Sequence, residues 1–90
     1  MKKSPITVEK KHDNWTIGHI GDYRFEIKLA SGPSAFGINE GRIIKLWIGR
    51  DGSGIAHYER GWDTLPRTQE EADLAQALIS AFDPDHSNPA

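Results

Sequence analysis

The chain has 90 residues, a formal net charge of −2 at pH 7 and no cysteine. Ninety residues make one small domain with a modest core. The missing thiols exclude disulfides, thiolate nucleophiles and cysteine-based zinc sites, and the slight negative charge, with no long basic stripe, argues against a nucleic-acid partner.

The start, Met1-Lys2-Lys3, is basic, but no apolar stretch follows, so no signal peptide is read. No window approaches the roughly 20 apolar residues of a membrane span. Together with the absence of cysteine, this leads to an expected cytoplasmic setting with no membrane association. Residues 1–13 are polar and read as a weakly ordered arm, in which Ile6 and Val8 alternate well enough to add a short strand. Residues 15–20 form the first predicted strand, and Gly21-Asp22 a turn. Tyr23 to Leu29 alternates strictly, with Tyr23, Phe25, Ile27 and Leu29 on one side and Arg24, Glu26 and Lys28 on the other; this is the strongest strand signal in the chain.

A long connection, residues 30–41, follows, with turns at Gly32-Pro33 and Asn39-Glu40-Gly41. Phe36 and Ile38 are its expected anchors. Arg42 to Ile48 is the third strand, residues 49–54 a hairpin turn on Asp51-Gly52, and Ile55 to Arg60 the fourth strand. Thr68 and Glu71 make a capping box that opens a helix to Phe82, with Leu74, Ala75, Leu78, Ile79 and Phe82 on one stripe. Pro84 stops it, and residues 84–90 are a polar tail. The expected fold is α+β: a four-stranded antiparallel, meander-like sheet with one C-terminal helix on one face, all within residues 14–83.

Register is open at both hairpins, because a one-residue slip exchanges the two faces. For the first, the pairing of Ile17 with Phe25 is preferred, since it buries Trp15 and Ile17. For the second, a three-residue loop with Gly52 left-handed pairs Leu46 with Ala56 and Ile44 with Tyr58. It is preferred because Tyr58 then enters the core while His57 and Glu59 stay out. This places Ile43, Trp47 and Ile55 together on the outer face, among charges, as a candidate partner-binding surface.

Signals for chemistry are weak. The glycine-rich loop lacks the Gly-Lys-Ser/Thr end of a P-loop and leads into a strand rather than a helix. The histidines, His12, His19, His57 and His86, show no paired ligand spacing, so no metal or other cofactor is expected. His57 and Glu59, on one side of a strand, lie near Arg60 and Asp63 and form the alternative: a small enzyme or ligand-binding site.

Two segments carry a paired pattern: SAFGINEGRIIKLWI at residues 34–48 and YERGWD at residues 58–63. Together they resemble a family of short uncharacterised bacterial and phage- or prophage-encoded proteins. In that pattern a Ser-x-Phe-Gly-Ile segment, a Gly-Arg-Ile-x-Lys-Leu strand and Tyr-Asp-Arg-Gly-Trp-Asp precede a C-terminal helix. The resemblance spans about Trp15 to Phe82, with Glu59 in place of the usual Asp. It implies a phage or mobile-element setting and supplies no catalytic residues. Ser34, Phe36, Gly37, Gly41, Arg60, Gly61, Trp62 and Asp63 match the pattern. The functional expectation is a non-enzymatic accessory module, a monomer or weak homodimer, that binds another protein. Arg60-Gly61-Trp62-Asp63 is expected as a corner, with Gly61 at positive φ, Trp62 folded over the core, and Arg60 either pairing with Asp63 or stacking on an aromatic ring.

Overall fold

A computed structural model describes residues 5–86. Six antiparallel strands lie in sequence order in one sheet: β1 (Ile6–His12), β2 (Trp15–Ile20), β3 (Tyr23–Leu29), β4 (Ile43–Arg50), β5 (Ser53–Glu59) and β6 (Trp62–Thr64). One helix, α1 (Gln69–Phe82), follows and covers one face. The meander and the helix agree with the sequence reading, but the sheet has two more strands. The polar arm is β1 from Ile6 onward, paired with β2, and the motif after β5 contributes the short β6. The first residues of the arm and the end of the polar tail, residues 1–4 and 87–90, lie outside the described residues.

The inner face carries the core. Phe25, Ile27, Leu46 and Ile48 meet Ala75, Leu78 and Ile79 of α1, and Phe82 stands 5.7 Å from Phe25 between ring centroids. Thr68 accepts the Glu71 amide hydrogen at 3.0 Å, the N-cap half of the expected capping box, while the Glu71 carboxylate accepts from the Arg67 amide at 2.8 Å, one residue before the cap rather than from Thr68 itself.

Register departs from expectation at both hairpins. The first takes the tight turn, with Gly21 at φ 58, and pairs Ile20 with Tyr23 and Gly18 with Phe25. Thr16, Gly18 and Ile20 therefore face inward, while Trp15 and Ile17 go to the outer face. Packing explains the choice. A Cβ at residue 18 would stand 2.9 Å from the Phe25 ring and 2.0 Å from the Thr7 carbonyl oxygen, so only glycine makes room for that ring beneath β1. The second hairpin is also tight, with Asp51 at φ 53 and Gly52 at φ 81, a type I′ signature. A bulge at Ile55 then moves the register, so that Leu46 faces Tyr58, Ile48 faces Ala56 and Trp47 faces His57. Tyr58 is in the core and Glu59 is exposed, as expected, though by a different pairing. A second bulge, at Ile44 opposite Lys28/Leu29, turns Ile43 inward. Ile43 is 0% exposed, so it belongs to the core and leaves the candidate outer surface.

Asp83, buried immediately after α1, fastens the helix to the sheet. It accepts the Arg42 amide hydrogen at 2.8 Å and lies 3.0 Å from His86 Nδ1. Gly41 permits the approach, since a Cβ there would stand 2.2 Å from the carboxylate. The long connection is closed at its neck by Ala30 and Ser34 amides donating to the Arg42 and Gly41 carbonyls. Of its two expected anchors, Ile38 is buried and Phe36 is not.

Leu78→Ala should lower unfolding free energy by about 2–5 kcal/mol in a urea titration, because the side chain is fully enclosed. Thr68→Ala should cost about 1 kcal/mol through its lost cap. Asp83→Ala should cost about 1–3 kcal/mol, leaving the Arg42 amide without its acceptor; equal stability to the parent would show the helix end held by other contacts. Burial raises the phenols of Tyr23 and Tyr58 above the usual tyrosine range. Their raised folded values mean that stability is intact below the unfolded pKa, about 10, and is lost as pH rises through the folded values. A tyrosinate absorbance titration should therefore show both midpoints above that of free tyrosine.

Candidate functional site

Pairing across the sheet arranges the outer face in rows. One row reads Trp15, Lys28, Lys45, Glu59, and the next Ile17, Glu26, Trp47, His57. Between the two tryptophans lies a shallow groove of about 310 Å³ lined by Trp15, Glu26, Lys45, Trp47, His57 and Glu59. The Trp47 indole lies over two glycines. A Cβ at Gly49 would meet its six-membered ring at 2.3 Å, and one at Gly54 would meet its Nε1 at 3.0 Å. The ring thus covers bare backbone, and Trp47 is half-buried rather than projecting. Ile55, at the bulge, is also half-buried. The three-residue surface expected from sequence is accordingly reduced to Trp47 and Ile55, which are no longer cross-strand partners.

Along the same face His57 sits between two carboxylates, with Nδ1 3.3 Å from Asp63 and Nε2 3.7 Å from Glu59. Three of the four residues proposed for the alternative site come together here; Arg60 does not. At the other side of the face, the hydrogen bond between His19 Nδ1 and Glu9, with the Arg24 guanidinium adding to it, holds Glu9 below the usual carboxylate range and ties β1 down. Among the described residues no group of three potential ligands is arranged to hold a metal ion.

Arg60 turns the other way. It takes φ 59, in the left-handed region, whereas Gly61 does not. The corner is therefore built on Arg60, with the Glu59 amide donating to the Gly61 carbonyl at 2.8 Å. The Arg60 guanidinium lies 5.8 Å from the centroid of the Phe36 ring. The Tyr58 hydroxyl donates to the Phe36 carbonyl at 2.8 Å, and Trp62 packs edge-on against Tyr58 at 5.2 Å. The two motif segments, separated by the β4–β5 turn and most of β5, thus meet at one end of the sheet. Their large apolar side chains are open to solvent: Phe36 is 58% exposed and Trp62 37% exposed, with Leu65 at 60% just beyond β6. Trp62 does not close over the core as expected, because β6 pairs with β5 and holds it at the sheet edge. Asp63 pairs with His57, not with Arg60, so the stacking arrangement is the one adopted.

The contact of Phe36 with Arg60 had no local sequence signal. Among the described residues no carboxylate pairs with Arg60, and no helix is long and apolar enough to cross a membrane.

Neither curated proteins nor solved structures gave a match to the chain. A domain family does match, over residues 14–83, the span from the start of β2 to the buried Asp83 and including both motif segments. The chain belongs to this family, described as a domain of unknown function, DUF7678.

Proposed function

We propose that the chain is a non-enzymatic module that binds another protein through the exposed cluster of Phe36, Arg60 and Trp62, in the cytoplasm and in a phage or prophage setting. That setting is supported by the motif resemblance. The binding role is supported by one observation above the others: Arg60 occupies a left-handed corner beside exposed aromatic rings. A side chain in that conformation costs about 1–2 kcal/mol relative to glycine, and a glycine stands one residue later where it is not required. An exposed cation–π contact returns about 0.5–1 kcal/mol, so local stability gives little reason for arginine at this position. Backbone strain of this kind clusters at binding and active sites. Trp, Tyr and Arg are also the side chains that dominate protein interfaces. A partner segment that places an apolar side chain on Phe36 and Trp62 and a carboxylate on Arg60 fits the cluster.

Arg60→Gly separates folding from binding. The variant should unfold within about 1 kcal/mol of the parent in urea, because relief at the corner offsets the lost stacking. Affinity capture from the native host should yield a protein with the parent chain that is lost, by about tenfold or more, with Arg60→Gly and retained with Lys45→Ala on the opposite face. Equal capture by Arg60→Gly would refute the assignment.

A further inference from the structure

On the sheet face opposite the motif cluster, the geometry points to a second site: we propose that the groove between Trp15 and Trp47 binds a neutral, flat saccharide, a β-1,4-linked pyranose chain. Three features carry this. The first is rigidity. Trp47 is supported from below by the backbone of Gly49 and Gly54, whose missing side chains let the indole lie down on the strands. An aromatic platform held in this way loses little freedom when a ligand stacks on it. Trp15 stands at the other side of the groove, with Lys28 Nζ 5.7 Å from its ring centroid.

The second feature is the balance of charge. Glu26 and Glu59 face Lys45 and His57 around the same opening, and Lys45 and His57 each lie within 4 Å of Glu59. Two carboxylates repel a phosphate-bearing chain, while the lysine opposes a cationic guest. A ligand without net charge meets neither penalty. The third feature is the mixture of polar groups. Carboxylates accept hydrogen bonds and the ammonium donates them, and hydroxyl groups on a pyranose ring do both. The C–H faces of such a ring are apolar and match the indole surface. A volume of about 310 Å³ lies at the small end of ligand sites, and its shallowness suits an extended chain crossing the face better than an enclosed monosaccharide.

Cellotetraose and tetra-N-acetylchitotetraose test the proposal, with maltotetraose and a thymidylate oligomer as comparators. A Trp62→Phe background leaves Trp15 and Trp47 as the fluorescent reporters. Cellotetraose or tetra-N-acetylchitotetraose should give a saturable change with a dissociation constant on the order of 1 mM. Amide and indole N–H resonances should shift at Trp15, Trp47 and His57 and not at Phe36 or Arg60. Glu26→Gln, which preserves shape, should weaken binding several-fold, and Trp47→Ala, in a sample shown by its spectrum to be folded, should abolish it. If Trp47→Ala does not fold, Trp15→Leu serves the same purpose. No saturation by either β-linked probe up to about 20 mM would overturn the proposal. So would equal binding of the curved maltotetraose, saturation by thymidylate alone, or shifts confined to the Phe36–Arg60 cluster.

Discussion

A single buried carboxylate connects the three parts of this domain. Asp83 follows the last residue of α1, where the helix macrodipole disfavours a negative charge. Its place is secured by the Arg42 amide and by His86, and by the space that Gly41 leaves. Arg42 leads into β4, Gly41 ends the long connection, and His86 in turn offers its carbonyl to the Asn39 side chain at 2.7 Å. The end of the helix, the start of a central strand and the loop bearing Phe36 are therefore fixed to one another by a few hydrogen bonds, of which those to Asp83 are charge-assisted. The position of Phe36 against Arg60 rests on this arrangement together with the Tyr58 hydroxyl bonded to the Phe36 carbonyl and the backbone bonds at the neck of the loop.

The elements were legible because their signals are local. Strict alternation identified β3, and the Thr68–Glu71 box with its apolar stripe identified α1. Register was not legible, and particular residues show why. Trp15 and Ile17 share one parity of β2, but Ile20 has the other, so hydrophobicity alone favoured the wrong face. The deciding fact was the fit of Phe25 over Gly18, which is a contact between strands. Ile43 and Ile44 stand side by side, and a bulge decides which of them enters the core. β1 was obscured by its charges. β6 was too short to carry a periodic signal.

The candidate site was legible only in part. Arg60, Gly61, Trp62 and Asp63 stood out as a motif, yet they divide between two faces: Asp63 joins His57 and Glu59 on the outer side, while Arg60 and Trp62 belong with Phe36 and Tyr58. Period two along β5 and β6 imposes that division. A cluster that looked continuous in the sequence serves two surfaces, and the glycines placed for turns in the sequence reading include two that support an indole.

The strictly sequential order of the sheet also bears on how the chain reaches its fold. Every strand pairs with a neighbour in sequence, and four of the five pairings close over tight turns of two or three residues. Such closures cost little chain entropy. Among the described residues the only long closures are the connection between β3 and β4 and the docking of α1. Topologies rich in local pairing fold faster than sheets joined by distant strands. In this chain the entropy of long closure is concentrated at the point where the buried carboxylate, the loop and the helix end meet, while the hairpins on either side are closed locally.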